Sequence, residues 1–412
     1  MNLINAMMIV LLCLASCDKA DPVKNPEPGI SYELTKAQSE MVEEGNVFAF
    51  DLLEAVSENK EFAGKDFMVS PLSISFVLGA LDNGATCQTS EEILDVLGFE
   101  GCTVEDLNEY SRNILRGCTE VDDLVDVKIA NAVVVKEGYN LKKGFSDALE
   151  NYYDAYVRSM KFDDKAVDAI NDWCNEQTKG LIPKIIDEIP EDALLFALNS
   201  IYFKGAWVNR FEKDNTQKST FTNFDGSNSK TWMMQMEEWL DYSSNDTWST
   251  VRLPYGNGSY SMYVLLPHEG ISLDVLIDEL DGATWESEKN RMRSCIVNLK
   301  LPRFETASDI NLNNIMKSLG MKRAFIPGLA EFGDMFENES EIFLGILKQK
   351  SRIIVNEEGT EAAGVTMGGV MATGFMPENK PKTFHADRPF VYLIQEKSSN
   401  AIFFIGAKVK AE

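Results

Sequence analysis

The segment EEGTEAAGVTMGGVMATGFMPENK, from Glu357 to Lys380, is compatible with two backbone conformations. Its middle, Ala362 to Pro377, has no charged residue, although the chain carries 65 acidic and 39 basic residues. Small and β-branched side chains suit a slim strand that is covered on both faces. Four glycines and a proline in the same run are typical of a loop. On one alternation, small side chains share a face: Thr360, Ala362, Gly364 and Thr366.

Composition predicts an ordinary globular protein. The chain has 412 residues, of which 44% are hydrophobic and 25% charged, so a sizeable core can form. A single core stops growing at roughly 250–300 residues, so length alone allows either one large domain or several. The net charge of -26 makes nucleic acid an improbable partner, because phosphate binding needs clustered Lys and Arg.

Helical and strand patterns mix along the whole chain. A helical pattern begins near Leu34, and Ser70 with Pro71 predicts the start of a buried helix. The next helix is predicted to open at Thr89 or Ser90. Apolar β-rich runs predict buried central strands at Val127–Val135 and Ala193–Tyr202, and β-runs predominate from Lys230 onwards. With no second linker and no repeat, the pattern favours one α+β domain over residues 34–412.

The N-terminus has the organisation of a signal peptide. An apolar stretch from Ala6 to Ala15 precedes Cys17, and it is too short to span a bilayer. Leu14-Ala15-Ser16-Cys17 resembles the lipobox of bacterial lipoproteins, which implies cleavage after residue 16 and lipidation of Cys17. Residues 17–33, rich in proline, predict a flexible tether. We therefore expect an envelope lipoprotein at the extracellular face or in the periplasm, although residues 1–16 lack the usual Lys or Arg. A plain secretory signal or a misplaced start is the alternative.

Recognisable catalytic chemistry is absent from the sequence. The two histidines, His268 and His385, belong to no catalytic or zinc motif, and no phosphate-binding loop accompanies them. Five cysteines follow the signal region without CxxC spacing, so no metal and no cofactor is expected. Most of them suit small core positions, and a disulfide between Cys102 and Cys118 is left open.

Several motifs, in order, resemble the serpin family of protease inhibitors. EEGTEAAGVT is similar to the serpin hinge, and FHADRPFVYLI with AIFFIGAKV to the two strands that follow the reactive loop. FMVSPLSISFVLGALDNGA is similar to the segment behind the opening of the main sheet, INDWCNEQTKGLIPKII to the helix across that sheet, and LFALNSIYFKGAWVNRF to its central strand. The resemblance implies a single domain with a large central sheet, two smaller sheets, about eight to nine helices and an exposed reactive loop.

The resemblance also implies a mechanism, in which a protease attacks the loop and is trapped as an acyl-enzyme when the cut loop inserts into the main sheet. The partner is then a serine protease, or a cysteine protease, in covalent complex with a monomeric inhibitor that is not itself an enzyme. The small residues after the hinge favour inhibition. A non-inhibitory binding or carrier lipoprotein of the same fold is the alternative.

Family positions carry over to this chain residue by residue. The hinge is Glu357, Glu358, Gly359, Thr360, Glu361, Ala362, Ala363, Gly364, Val365 and Thr366. Trp207 matches the tryptophan at the loop's entry point, and Ser70, Ser73 and Asn199 match the polar cluster that gates sheet opening. The family's usual gate histidine falls on Gln349, so inhibition is expected to lack a His-like step between about pH 6 and 7.

The position of the reactive bond follows from the usual family spacing. Counting from Gly359 selects Thr373-Gly374. Because the loop is several residues longer than usual, Phe375-Met376 is one alternative, and Met371-Ala372 is the alternative at shorter spacing. No Lys or Arg lies between Arg352 and Lys380, which disfavours trypsin-like targets. Elastase-like, subtilisin-like or chymotrypsin-like serine proteases are the expected targets.

Overall fold

Nine α-helices lie in the part of the chain that the computed structural model describes, which comprises residues 32–190, 193–338, 342–360 and 380–411. In chain order they are α1 Lys36–Ser57, α2 Pro71–Asp82, α3 Cys87–Leu97, α4 Val104–Glu120, α5 Lys143–Tyr153, α6 Asp164–Gln177, α7 Leu273–Glu279, α8 Gly282–Arg291 and α9 Asn313–Leu319. None of these helices is long and apolar enough to cross a membrane.

The strands of the described residues form two sheets. They are β1 Phe67–Val69, β2 Val125–Lys136, β3 Tyr156–Met160, β4 Leu195–Ala206, β5 Gln217–Thr222, β6 Asn228–Ser244, β7 Trp248–Tyr255, β8 Tyr260–Pro267, β9 Arg293–Pro302, β10 Phe304–Asn311, β11 Ile346–Asn356, β12 Gly359–Thr360, β13 Lys382–His385, β14 Phe390–Glu396 and β15 Ile402–Lys408. The sheet that carries the site has six strands in the order β10-β11-β12-β4-β2-β3. The other nine strands are hydrogen-bonded into one sheet, in which the long strand β6 pairs with β5, β7 and β9. The predicted α+β class is confirmed.

Strand β4 is buried on both faces, as predicted for a central strand. Its odd-numbered side chains, such as Leu195 and Phe203, join the main core beneath α2. Its even-numbered side chains, such as Phe196 and Tyr202, join a second apolar cluster under α6. The sheet is therefore the middle layer between two cores.

The start of α2 is as predicted. Ser70 is the N-cap, its hydroxyl accepts a hydrogen bond from the Ser73 N–H at 3.4 Å, and Pro71 occupies the first turn. Proline suits this position because the N–H that it lacks would have no partner inside the helix.

The predicted start of α3 at Thr89 or Ser90 is wrong. The helix begins at Cys87 after the N-cap Thr86. A distant segment decides the boundary: the Thr86 N–H donates to the Glu331 carbonyl at 2.8 Å, and the Thr89 hydroxyl accepts from the Glu331 N–H at 3.0 Å. Thr89 is thus used in a tertiary contact rather than as a cap.

Cysteine pairing, which the sequence left open, is absent from the described residues. Cys102 and Cys118 are both free thiols, as are Cys87, Cys174 and Cys295. Burial raises the pKa of the Cys118 thiol to about 12, so this side chain is a neutral core residue.

Candidate functional site

The candidate site is a seam between β4 and β11 that is closed at one end and occupied at the other. At the closed end the two strands pair directly and in parallel, Ile346–Ser351 against Phe196–Ile201. At the other end β12 lies between them, antiparallel to both, with Gly359 opposite Ala206 and Asn356. Residues 202–204 and 352–354 separate the two regions. The hinge therefore already forms the first rungs of a strand inside the sheet.

Gly359 occupies a position that admits no side chain. Its φ of 147° lies in the region that favours glycine. A Cβ atom built on Gly359 would lie 2.1 Å from the Gly205 carbonyl oxygen and 2.7 Å from the Ala206 Cα. The backbones of β12 and β4 can approach to pairing distance because residue 359 is a glycine.

The side chain of Thr360 contacts a buried aromatic residue. Its side chain is buried, and its hydroxyl lies 2.6 Å from the phenol oxygen of Tyr255. Tyr255 stacks on Trp207 with the ring centroids 4.3 Å apart, and the Trp207 Nε1–H donates to the Asn356 carbonyl at 2.8 Å. Burial raises the pKa of Tyr255 well above its ordinary value, so the phenol stays neutral. Trp207, which was matched to the family's entry-point tryptophan, lies beside the hinge, whereas Tyr255 was not predicted because a tyrosine that ends a strand carries no distinctive pattern.

The two acidic hinge residues are anchored by cations. The Glu357 carboxylate accepts from the Thr216 hydroxyl at 2.5 Å and from the Arg303 Nε at 2.7 Å. Although burial alone would raise the pKa of Glu357, the hydrogen bonds from Arg303 and Thr216 hold it below its ordinary value. Glu358 pairs with Lys213 at 2.6 Å. Sequence reasoning missed Thr216 and Arg303, because both are distant from the hinge along the chain.

A buried amide and hydroxyl network lies across the closed seam. The Gln349 Nε2 donates to the Asn199 Oδ1 at 2.8 Å, and the Gln349 Oε1 accepts from the Ser70 N–H at 2.8 Å. Asn199 in turn donates to the Ser73 hydroxyl, and to Asn131 Oδ1 at 2.9 Å. The structure thus brings together all four residues assigned to the gate, and Gln349 acts as donor and acceptor at once.

Asn131 completes this network and was not predicted. It lies in the apolar run of β2, is 1% exposed, and is directly opposite Asn199 in the antiparallel pair of β2 and β4. A polar amide in such a run was the available signal, since a buried polar group requires a partner.

The remaining predicted site residues lie outside the described part of the chain. They are Cys17, Glu361, Ala362, Ala363, Gly364, Val365, Thr366, Met371, Thr373, Gly374 and Phe375. The two histidines are hydrogen-bonded to residues outside the seam. His268 Nε2 contacts the Asn245 carbonyl at 2.9 Å, and His385 Nε2 contacts Asn298 Oδ1 at 2.8 Å.

Comparison with known proteins assigns this arrangement to a family. The family model described as Serpin (serine protease inhibitor) matches residues 43–411. Serpin-Z10 of Arabidopsis thaliana is 32% identical over 357 residues, which cover 83% of this chain and 91% of that protein. Glia-derived nexin of Rattus norvegicus is 31% identical, covering 83% of this chain and 87% of that protein. The crystal structure of the thermophilic serpin tengpin in its native state is similar with a TM-score of 0.83 at 27% identity, covering 93% of this chain and 97% of that one. With the hinge, the seam and the matched sequence in agreement, this chain belongs to the serpin family, whose members are generally protease inhibitors.

Proposed function

We propose that this serpin inhibits extracellular serine proteases by suicide-substrate trapping. One observation carries the proposal: Gly359 and Thr360 form the beginning of an antiparallel strand between β4 and β11, whose other ends are paired in parallel. Parallel pairing is slightly less stable per residue than antiparallel pairing. A loop that continued inward from Thr360 would replace one parallel ladder by two antiparallel ladders.

The register of the hinge defines where such a strand would run. Continued from Gly359 and Thr360, it places Thr366 between Asn199 and Gln349, and Val370 opposite Leu195, the first residue of β4. Thr373 then lies just beyond the end of the sheet. A loop cut after Thr373 is therefore long enough to fill the seam completely.

The same register assigns side chains to faces. Thr360, Ala362, Gly364 and Thr366 take the parity of Gly205, Phe203 and Asn199, which face the main core. These four side chains are small enough to enter beneath α2 without displacing it. The face that must be inserted into the packed core is thus the face that carries no large group.

Inhibition follows from movement of the acyl-enzyme. The protease's nucleophile attacks the Thr373 carbonyl, the bond to Gly374 breaks, and the loop remains esterified to the protease. Because residues 359 and 360 already lie in the sheet, residues 361–370 remain to be inserted, and at about 3.3 Å per residue they extend the strand by about 33 Å. The protease is pulled against the far end of the sheet, and because a misplacement of about 1 Å can cost about 100-fold in rate, hydrolysis of the ester stalls.

The chemistry of the loop favours particular targets. Because no Lys or Arg lies between Arg352 and Lys380, a pocket with a buried Asp is not satisfied. Thr373 suits elastase-like and subtilisin-like pockets, and the alternative Phe375 suits a chymotrypsin-like one. Cysteine proteases, which also form acyl-enzymes, are a second class of target. With Cys17 as lipid anchor, the inhibitor would act at the extracellular face or in the periplasm.

The first test is incubation of the mature protein with an elastase, followed by denaturing electrophoresis and mass spectrometry of the released C-terminal fragment. We expect a denaturant-resistant complex and a fragment that begins at Gly374. A fragment beginning at Met376 or Ala372 keeps the mechanism and moves the bond to Phe375 or Met371. An elastase whose serine is blocked is the control. Cleavage without complex by elastase-, subtilisin- and chymotrypsin-like enzymes would overturn the proposal in favour of the carrier function.

The gate offers a second test, because Gln349 does not titrate near neutrality. We expect the inhibition rate of the wild type to show no His-like step between about pH 6 and 7. The Gln349→His variant is expected to acquire one, since a protonated imidazole loses the acceptor that the Ser70 N–H requires. Stopped-flow measurement of the inhibition rate against pH, divided at each pH by the protease's own rate of cleavage of a peptide substrate, compares the two proteins and removes the titration of the protease's catalytic histidine. A step in the wild type contradicts the prediction.

A further inference from the structure

A cleft beside the hinge combines an exposed indole with three cationic side chains. It encloses about 310 Å³ between the β5-β6 hairpin and the ends of β10 and β11, and we name it the Trp232 cleft. Its lining comprises Lys218, Lys230, Trp232, Arg303, Ile354 and Asn356 among others. The volume lies at the lower end of the range for small-molecule sites, about 300–1,000 Å³.

Two of the three cations lie over the Trp232 ring, and the third is on the same face of the hairpin. Lys218 is directly opposite Trp232 in the β5-β6 pair, and Lys230 is opposite Thr220, so these side chains share one face of the hairpin. The Lys218 Nζ lies 5.4 Å from the centroid of the Trp232 ring, and the Arg303 Cζ lies 5.7 Å from it. The Trp232 side chain nevertheless remains 46% exposed. Indole surface is therefore left in contact with solvent inside a cationic cleft.

Positive charge in the cleft is incompletely neutralised. Its carboxylate Glu305 is bonded to Arg352 at 2.7 Å, and Arg303 is paired with Glu357. Neither Lys218 nor Lys230 belongs to an ion pair within the described ranges. In a chain of net charge -26, two lysines without a carboxylate partner around an open cavity are a local reversal of sign.

We propose that the Trp232 cleft binds a small amphiphilic anion, of the class of aryl carboxylates and aryl sulfonates. The acid group is bound by Lys218, Lys230 and the N–H groups of Arg303 that do not contact Glu357, since a guanidinium has five donors. The apolar body packs against the exposed indole edge and Ile354. A neutral ligand would leave the lysines unused, and an inorganic anion would leave the indole exposed.

Arg303 links this cleft to the hinge. It lies between the ligand and Glu357, so the negative charge of Glu357 partly neutralises the guanidinium that the ligand binds, although the two acid groups use different N–H donors. Replacing Glu357 by Gln removes the neutralising charge, and we expect it to tighten binding of the anion about fivefold. Binding itself does not require that the chain inhibit a protease.

The test is isothermal titration calorimetry with naphthalene-2-sulfonate, and with the neutral 2-naphthalenemethanol as matched probe. We expect saturable one-to-one binding of the sulfonate, at least about tenfold weaker binding of the alcohol, and a loss of at least about tenfold in the Lys218→Gln/Lys230→Gln variant. Trp232→Phe should weaken binding as well. Two variants serve as controls and should bind normally: Trp239→Phe, an equally exposed indole on the same strand at 49%, and Lys128→Gln, an exposed lysine on β2.

Three results would overturn the proposal. They are the absence of saturable sulfonate binding to the wild type, equal binding of the alcohol and the sulfonate, and an equal loss of binding in the control variants. Circular dichroism of every variant checks that the fold is intact. If Glu357→Gln leaves the affinity for the sulfonate unchanged, the link through Arg303 is wrong, whereas the cleft itself is judged by the lysine and Trp232 variants.

Discussion

Gly359 is the residue on which the hinge depends most directly. Two constraints coincide there: a φ of 147° and a Cβ position 2.1 Å from the Gly205 carbonyl oxygen. The first is a conformational cost of about 1–3 kcal/mol for any other residue, and the second is a collision with backbone that cannot move aside. Either constraint alone would favour glycine, and both together make the position intolerant of any other residue.

We therefore predict that Gly359→Ala expels β12 from between β4 and β11. The change should lower the free energy of unfolding by more than about 2 kcal/mol and slow the formation of the protease complex. Gly138→Ala is the matched control, because Gly138 also has positive φ, 98°, but nothing lies within 4 Å of its Cβ position. Denaturant unfolding and complex formation on gels measure both effects. Equal behaviour of the two variants would contradict the role given to the close approach.

Asp82, the last residue of α2, is a buried carboxyl group whose protonation changes stability. Burial raises the pKa of Asp82 from 3.8 to about 6. The folded state therefore binds the proton more tightly than the unfolded state, and the free energy of unfolding falls as pH rises from about 4 to about 6. Above that range the folded protein carries a charging cost of about 2–4 kcal/mol.

Because the pKa of Asp82 is raised in the folded state, we predict that Asp82→Asn raises the free energy of unfolding at pH 7.5 and has little effect at pH 4. The amide is never charged, so the variant lacks the loss of stability that the wild type suffers between about pH 4 and 6. Denaturant unfolding midpoints at the two pH values give the comparison. If the variant were less stable by the same amount at both pH values, the pKa of Asp82 would not differ between the folded and unfolded states, and the prediction would be wrong.

At the scale of elements, the parallel ladder between β4 and β11 is the one that the proposed mechanism would replace. Its closed end is bound to the start of α2 through Ser70 and Gln349, and to β2 through Asn131 and Asn199. A strand entering at that level must break hydrogen bonds that are fully buried, each costly to leave unmade. The network thus sets a barrier to opening the sheet, while the hinge strand at the other end lowers the cost of starting.

The register predicts a difference between neighbouring loop positions. Ala362 would enter between Phe203 and Ile353 on the core face, whereas Ala363 would lie between Tyr202 and Arg352 on the α6 face. Ala362→Glu would bury an unpaired charge, so we expect the loop to be cut and released, with the stoichiometry of inhibition rising about tenfold or more. Ala363→Glu places its carboxylate next to Arg352 and should have the smaller effect. Titration of active protease measures both, and a reversed order would refute the register.

At the scale of the whole molecule, the described residues of β12 lie between β4 and β11 at one end of the six-stranded sheet, whereas at the other end β4 and β11 pair directly. The apolar layers above and below the sheet are already in place, so a full strand would gain hydrogen bonds and burial without reorganising either core. On the proposed mechanism, the uncut protein would be held in its present state by the connectivity of the loop rather than by the lowest free energy.

We predict that cleavage at the reactive bond raises the melting temperature by at least about 10 °C, which at about 2 °C per kcal/mol for a large domain represents about 5 kcal/mol. Differential scanning calorimetry of cut and uncut protein measures the change. The Ala362→Glu variant cut at the same bond is the control, and its melting temperature should stay close to that of the uncut protein. An unchanged melting temperature in cut wild type would mean that the loop does not insert.

Particular positions show which structural features could be predicted from the sequence alone. Apolar periodicity predicted β4 as a central strand, and Ser70 with Pro71 marked the start of α2, because these are properties of neighbouring residues along the chain. The start of α3 was predicted wrongly, because the Thr89 hydroxyl, which was expected to cap the helix, accepts a hydrogen bond from the Glu331 N–H instead. The resemblance named Ser70, Ser73, Asn199 and Gln349, which the structure joins in one hydrogen-bonded network, and Trp207, which lies beside the hinge, but it did not name the partners of these residues.

Sequence by itself determined the class of fold, the central strand, and a loop whose residues suit either an exposed or an inserted state, because local pattern and side-chain size suffice for these. Only the tertiary structure decided that Arg303 and Thr216 hold Glu357, that Tyr255 meets Thr360, that Asn131 joins the gate, and that a cationic cleft adjoins the hinge. The physical reason is that each of these contacts joins residues separated by more than 50 positions along the chain. Their pairing is set by strand register and packing, which no local pattern encodes.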